Sequence, residues 1–232
     1  MRNDDPAVKK YERRTLDHEG QPMKEQHVTF PSGSLTLEGL LAKPEGLKPV
    51  RGAVVCHPHP LYGGSMYNNV VDAVLEAMWK KGWATLRFNF RGVGESEGEH
   101  GGGIGETEDA AAAVAYLTSQ SGVRADGAVL AGYSFGSVAA MKAAPGIRNL
   151  GGLVLVALPL KMADPAALND FAGPILMAAG DGDNYCPAPQ LQALSKELGP
   201  RAQVRIVEGA DHFFGGFEVE LAEAIESMLA AI

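Results

Sequence analysis

The chain has 232 residues, 46% of them hydrophobic, and carries a formal net charge of −8 at pH 7. This length fits one sizeable domain, and the composition is that of an ordinary globular protein. No apolar run approaches the ~20 residues needed to cross a bilayer, so no membrane span is expected. The acidic balance provides no basic stripe for phosphates, which argues against a nucleic-acid partner.

The first 26 residues are polar and rich in charge, unlike the sequence that follows. We divide the chain into this arm, 1–26, and a domain, 27–232. The arm lacks the apolar stretch of a secretory signal, which favours a cytoplasmic location. It is expected either to be disordered or to pack against a partner, and in the second case a homodimer is the simplest form. Cys56 and Cys186 are too few for a disulfide framework.

Short apolar runs alternate with helical patterns from residue 27 onward. Strands are predicted at 27–30, 35–41, 52–57, 84–90, 128–131, 153–158, 175–179 and 204–207. Helices are predicted at 70–81, 106–117, 135–144, 189–198 and 217–229. Nearly continuous apolar strands separated by helices indicate a mostly parallel sheet with helices on both faces. The first two strands are joined by a short turn and should be antiparallel.

The pentapeptide GYSFG at 132–136 follows one predicted strand directly and precedes a predicted helix. A serine on such a sharp turn is raised above the edge of the sheet, and the flanking glycines let strand and helix approach each other. The positive end of the helix dipole lies beside the serine. This context predicts Ser134 as a nucleophile.

A nucleophilic serine needs a base, and in this strand–turn–helix arrangement an acid and then a histidine follow it along the chain. His212 is the one histidine after Ser134, and it lies between the last predicted strand and the last predicted helix. The acid should lie in the sequence GDGDN, which contains two aspartates. Asp183 is preferred because it lies further out on the loop, with Asp181 and then Asp164 as alternatives.

The tetrahedral intermediate of acyl transfer needs two N–H donors. Phe135, the residue after the serine, is predicted to supply one of them. The loop HPHPLYGG is predicted to supply the other, and its prolines have no N–H to offer. His59 is preferred there, with Leu61 or Tyr62 as alternatives. The histidines of this loop have no third ligand nearby, so loop-shaping hydrogen bonds are expected of them and no metal.

Aromatic residues are expected around the serine. The predicted substrate contacts are Tyr62, Tyr133, Tyr185 and Phe213. An open site lined by such rings suits small acyl or aryl esters better than long lipids. Another conspicuous segment, RGVGESEG, is interpreted as a tight loop at a strand end that Arg91 holds in place.

Four stretches in order resemble a family of small bacterial α/β hydrolases related to the dienelactone hydrolases: CHPHPLYGGSMYNNVV, ATLRFNFRGVGESEG, GIGETEDAAAAVAYL and LAGYSFGS. The resemblance runs from about residue 27 to the end. It implies an α/β-hydrolase fold, with a twisted sheet of about eight strands, and a mechanism without a cofactor. Dienelactone hydrolases proper carry a cysteine where Ser134 stands here. The short segment between Leu158 and Pro174 leaves no room for a lid domain.

These observations predict a serine hydrolase that cleaves small carboxylic esters through an acyl-enzyme intermediate. A thioesterase, a peptidase or an acyltransferase would use the same triad. A non-catalytic binding module on a hydrolase scaffold is the alternative of another class, because a fold does not dictate a function.

Overall fold

The computed structural model describes residues 20, 22–46 and 48–232. Eight strands in this part of the chain form one sheet: β1 Glu25–Ser32, β2 Leu35–Ala42, β3 Gly52–Cys56, β4 Ala84–Phe88, β5 Val129–Tyr133, β6 Gly152–Val156, β7 Ile175–Gly180 and β8 Ala202–Val207. The helices are α1 Asn69–Lys80, α2 Ile104–Thr118, α3 Phe135–Ala143, α4 Ala188–Leu198 and α5 Glu218–Met228. Every predicted strand and helix has a counterpart here, with bounds that differ by a few residues.

The strands lie in the spatial order β1-β2-β4-β3-β5-β6-β7-β8. β1 and β2 form an antiparallel hairpin, β2 is antiparallel to β4, and every pair from β4 to β8 is parallel. The prediction of a mostly parallel sheet of about eight strands is therefore confirmed. The sheet crosses over at β3 and β5, which makes the end of β5 a place where ligand sites form in such sheets.

Apolar side chains alternate between the two faces of the sheet, as the period of two in a strand requires. In β5, Leu130 points to the layer of α2, α3 and α4, whereas Val129 and Ala131 point to the layer of α1 and α5. Both layers consist of buried apolar side chains, mostly aliphatic with some aromatic rings. The central strands are therefore covered on both faces, which explains their nearly continuous apolar sequences.

The sheet begins at Glu25, two residues before the predicted domain boundary. Glu25 pairs with Ala42 across the hairpin, and its carboxylate lies 2.5 Å from the Arg87 guanidinium. Arg87 is buried and also contacts Asp72 of α1 at 2.6 Å. The end of the polar arm thus contributes a charge to the domain. Residues 1–19 and 21 of the arm lie outside the described residues, and so does the expectation about the arm's order or partner.

The segment between β6 and β7 holds a short 3₁₀ helix, Pro165–Asp170, in place of a lid domain. The loop after β4 is fixed by Arg91, whose guanidinium donates to both carboxylate oxygens of buried Asp109 in α2, at 2.8–3.2 Å. This pairing confirms the interpretation of that segment as a loop held by Arg91. Within the described residues, no helix is both long enough and apolar enough to cross a membrane.

Candidate active site

Ser134 occupies a strained turn between β5 and α3. Its φ is 52° and its ψ is −118°, a conformation that a residue with a Cβ rarely adopts. The flanking glycines make the turn sterically possible. A Cβ on Gly132 would lie 2.1 Å from the Gly136 oxygen, and a Cβ on Gly136 would lie 2.3 Å from the Cys56 oxygen. The turn therefore presses against the end of β3 and presents the serine at the carboxyl edge of the sheet.

A hydrogen-bonded series joins Ser134 to His212 and Asp183. The Ser134 Oγ lies 3.0 Å from His212 Nε2, and His212 Nδ1 lies 2.8 Å from Asp183 Oδ2. Since a carboxylate can only accept at Asp183, the proton of the neutral imidazole belongs on Nδ1, and Nε2 is left to accept the serine proton. The structure thus brings together three residues that the sequence places 29 and 78 positions apart.

The second oxygen of Asp183 is also satisfied. Its Oδ1 accepts from the amides of Tyr185 at 2.8 Å and Cys186 at 2.9 Å. Burial opposes ionisation of this carboxyl, but the hydrogen bond from His212 and these two amides outweigh it and hold its pKa below the usual range. Asp183 is therefore an ionised carboxylate near neutral pH, suited to orient an imidazole and to stabilise its charged form.

The two alternative acids lie elsewhere. Asp181 Oδ1 accepts from the Gly209 amide at 2.8 Å and so ties the acid loop to the start of the His212 loop. Asp164 caps the 3₁₀ helix by accepting from the Ala166 amide at 2.9 Å. Of the three candidate acids, the structure brings Asp183 to His212.

The amides of Phe135 and His59 are the predicted oxyanion donors. Their side-chain rings pack together with centroids 4.6 Å apart, which places the two residues side by side. Across the described part of the chain, neither amide donates to another protein atom. Leu61 and Tyr62, the alternatives to His59, use their amides locally, since these donate to His59 Nδ1 and to the His59 carbonyl. Two neighbouring residues whose amides are not used by the described part of the protein, Phe135 and His59, fit the predicted role.

His57 holds the start of the loop 57–64, which contains the predicted donor His59. Its Nε2 accepts from the Phe90 amide at 3.1 Å, and its Nδ1 donates to the Pro58 carbonyl at 2.6 Å. Burial lowers the pKa of this imidazole to about 4, so it is neutral at pH 7. The expectation of loop-shaping hydrogen bonds for His57 and His59 is confirmed. No group of three or more metal-ligating side chains occurs among the residues that the structure describes.

Three of the four predicted substrate contacts line the site. Tyr62 is exposed, and its ring lies 4.8 Å from that of His59. Tyr185 and Phe213 are exposed next to His212, with ring centroids 4.7 and 5.5 Å from its ring. Exposed aromatic side chains thus lie next to both His59 and His212.

The prediction of Tyr133 as the fourth substrate contact is wrong. It is 3% exposed, and its hydroxyl donates to the His212 carbonyl at 3.0 Å. As the last residue of β5 it shares a face with Val129 and Ala131, so its ring belongs to the core layer of α1 and α5. It is therefore not a surface for substrate.

His100 and Glu106 form a polar pair next to His59 that was not predicted from the sequence. His100 has its ring 5.0 Å from that of His59, and its Nδ1 lies 2.7 Å from Glu106 Oε1 without the alignment of a hydrogen bond. Burial disfavours a charged Glu106, but amides that include those of Gly101 and Gly103, together with the electrostatic effect of His100, lower its pKa. Glu106 lies three residues after Gly103, which is the spacing of a helix capping box. This spacing was the signal in the sequence that could have identified Glu106.

A hydrogen-bonded serine, histidine and aspartate at the carboxyl edge of this lidless sheet define the class of α/β hydrolases. The model of the dienelactone hydrolase family matches residues 103–227, which include all three of these side chains. The chain belongs to that family, so the resemblance inferred from its motifs is confirmed. It is a hydrolase.

The chain is also similar to individual proteins. An uncharacterized protein of Rickettsia prowazekii is 33% identical over 188 residues, which cover 78% of this chain and 79% of that one. An α/β serine hydrolase homologue from Coxiella burnetii is 34% identical, with a TM-score of 0.79 over 88% of this chain and 97% of its own. A serine hydrolase without a lid from Xanthomonas campestris is 28% identical, with a TM-score of 0.78 over 90% of this chain and 95% of its own.

Proposed function

We propose that this chain is a serine hydrolase that cleaves small carboxylic esters through an acyl-enzyme intermediate. The observation that carries the proposal is the hydrogen-bonded series from Ser134 Oγ through His212 to Asp183, at 3.0 and 2.8 Å. A serine, a base and an orienting carboxylate in this geometry are what nucleophilic acyl transfer requires.

In the first half of the reaction, Ser134 Oγ attacks the acyl carbon while His212 Nε2 takes its proton. The carbonyl oxygen becomes an oxyanion and accepts hydrogen bonds from the Phe135 and His59 amides, each worth about 3–4 kcal/mol of barrier. The bond to the alcohol oxygen then breaks. His212 gives the proton to that oxygen, the alcohol leaves, and the acyl group remains esterified to Ser134.

In the second half, water takes the place of the alcohol. His212 accepts a proton from the water as its oxygen attacks the acyl carbon, and the same two amides stabilise the second oxyanion. The bond to Ser134 Oγ breaks, and His212 returns the proton to the serine. The free acid leaves, and Asp183 has remained an ionised partner of the imidazole throughout.

Small acyl or aryl groups suit the surroundings of Ser134. The segment between β6 and β7 carries a short 3₁₀ helix and no lid that would enclose a long chain. Tyr62, Tyr185 and Phe213 are exposed beside the site and offer flat apolar contacts. A series of p-nitrophenyl esters of increasing acyl length tests this point. We expect kcat/KM to be highest for short acyl groups, and a clear preference for long ones would contradict it.

The nucleophile is tested by Ser134→Ala, with Ser227→Ala as a control that removes an exposed hydroxyl on α5. Native protein should release a burst of p-nitrophenol from p-nitrophenyl acetate and butyrate and should react with a fluorophosphonate at Ser134. Ser134→Ala should lose both properties, with kcat lower by about a thousandfold or more. Ser227→Ala should keep both. Hydrolysis that survives in Ser134→Ala would show that another group performs the chemistry.

We also propose that the protein works in the cytoplasm. Cys56 and Cys186 are both unpaired and buried, a state that a reducing compartment maintains. The reaction as proposed uses protein side chains and water, and the substrate is a small-molecule ester.

A further inference from the structure

The loop that carries His212 has little regular structure of its own. It spans residues 208–217, between β8 and α5, and three of these ten residues are glycines. Gly209 and Gly216 have φ values of +79° and +83°. A backbone rich in glycine has many conformations available, so its own sequence does not fix the position of the imidazole.

Tyr133 holds this loop from the end of β5. Its hydroxyl donates to the backbone carbonyl of His212 at 3.0 Å, and its ring lies 5.7 Å from the imidazole. Burial, with the nearby charges of Asp183 and Asp211, raises the pKa of this phenol, so it remains a protonated donor. The residue next to the serine in sequence therefore contacts the backbone of the proposed base directly.

Asn69 holds the next carbonyl from a different element. As the first residue of α1, it donates from Nδ2 to the carbonyl of Phe213 at 3.1 Å. The same Nδ2 lies 3.0 Å from Glu218 Oε1, and Glu218 Oε2 accepts from the Gly216 amide. Two consecutive carbonyls of the loop are thus bound by side chains from β5 and α1.

The backbone conformation of Phe214 indicates that contacts with the rest of the domain fix the shape of this loop. Its φ is +53°, and its side chain is fully buried in the layer of α1 and α5. A bulky residue persists in this region of backbone space where its surroundings over-determine it. The buried ring and the two bound carbonyls provide such surroundings.

We propose that Tyr133 and Asn69 are positioning residues that clamp the His212 and Phe213 carbonyls and so hold the imidazole in line between Ser134 and Asp183. The inference rests on the proposed function, because it assigns the clamp to the residue proposed as the base. Displacement of a reacting group by about 1 Å can cost about a hundredfold in rate. Since each donor holds only one of the two carbonyls, we expect loss of one donor to cost less than this.

The central test is Tyr133→Phe, which keeps the buried ring and removes the donor. We expect kcat for p-nitrophenyl acetate to fall about tenfold, as loss of a hydrogen bond of about 1.4 kcal/mol would give, with KM within about twofold. The rate constant for labelling of Ser134 by a fluorophosphonate should fall in parallel, while the labelled fraction of protein stays complete. Tyr116→Phe is the matched control, because it removes a phenol hydroxyl from a ring that stacks on Phe30.

Asn69→Ala provides a second variant in case Tyr133→Phe does not fold, and we expect the same pattern with a loss of severalfold. A rate constant within twofold of native for both variants would overturn the proposal. A reduced labelled fraction with an unchanged rate constant would also overturn it, since this pattern means loss of folded protein. Native protein that neither hydrolyses esters nor reacts with the fluorophosphonate would instead refute the proposed function.

Discussion

Each member of the proposed triad is held at more than one atom. His212 is bound at Nδ1, at Nε2 and at its backbone carbonyl, by three different residues. Asp183 accepts at both carboxylate oxygens, and Ser134 is fixed by the strained turn that carries it. Such multiple support keeps reacting groups oriented before substrate arrives, and this preorganisation lowers the cost of reaching the transition state.

The two aspartates of the acid loop give a matched pair for mutation. Asp183→Asn should lower kcat by about a thousandfold or more, because an amide at this position no longer stabilises the imidazolium and favours the wrong tautomer. Asp181→Asn should leave kcat within about twofold, since among the described residues the side chain of Asp181 accepts a hydrogen bond from the Gly209 amide and from no member of the proposed triad. Steady-state hydrolysis of p-nitrophenyl acetate measures both. Equal losses in the two variants would contradict the assignment of Asp183.

His57 links stability to pH. Its pKa is about 4 in the folded protein, against an ordinary value of 6.5. Between these two values the unfolded chain binds a proton that the folded chain does not, so stability falls as pH falls. The contribution is complete above about pH 6.5. Roughly 3 kcal/mol should be lost by pH 4, at ~1.4 kcal/mol per unit.

Urea unfolding at several pH values checks this expectation. Carboxylates add their own pH dependence, so native protein is compared with His57→Asn, which lacks the titrating group. The variant should lose roughly 3 kcal/mol less than native protein between pH 7 and pH 4. Identical pH dependence in the two proteins would show that His57 does not titrate as its burial implies.

At the scale of elements, the strand–turn–helix around Ser134 depends on the close approach of α3 to β3. A Cβ on Gly136 would lie 2.3 Å from the Cys56 oxygen and 2.5 Å from the His57 oxygen, and both are backbone atoms that cannot swing aside. Gly136→Ala should therefore lower the free energy of unfolding by about 2 kcal/mol or more. Gly146→Ala meets open space and should change it by less than about 0.5 kcal/mol. Urea denaturation distinguishes the two outcomes, and equal effects would refute the steric argument.

Strands and helices were readily predicted because their signals are local. The apolar runs of β3 to β7 and the spacing of apolar residues in α1 mark buried faces directly. The start of β1 at Glu25 was not predicted, because EQH carries too little apolar character to mark a strand. That residue is placed by Arg87, which is 62 positions away. Sequence patterns therefore locate elements that bury their own side chains and miss those fixed by a distant charge.

At the scale of the whole molecule, the net charge of −8 affects which substrates approach. Exposed Asp181 and Asp211 lie in the loops next to the site and add to this field. We expect kcat/KM for an anionic ester, the p-nitrophenyl monoester of succinate, to rise about threefold from about 0.01 M to about 1 M salt, because salt screens the repulsion. The neutral p-nitrophenyl butyrate serves as the control and should show little change. A fall with salt for the anionic ester would indicate a cationic subsite.

The assembly of the site shows where sequence reasoning stops. Ser134, His212 and Asp183 could be found because strand ends of a parallel sheet meet at one edge, and each follows such an end. Tyr133 was placed wrongly, because its contact with His212 spans 79 positions and no local pattern reports it. The clamp on the His212 loop is a property of packing between β5, α1 and that loop. It becomes visible only once the three are together.

The position of β8 has a consequence for how activity would be lost. β8 is the outermost strand at its end of the described sheet and is mostly half-buried, whereas every residue of β5 is buried. His212 follows β8 by five residues, while Ser134 follows β5 at the centre. Segments with few buried contacts open at lower free energies than the core does. Detachment of this one strand would withdraw the imidazole and leave the serine in place. Mild denaturant should therefore abolish the hydrolytic activity while the amides of the central strands remain protected from hydrogen exchange.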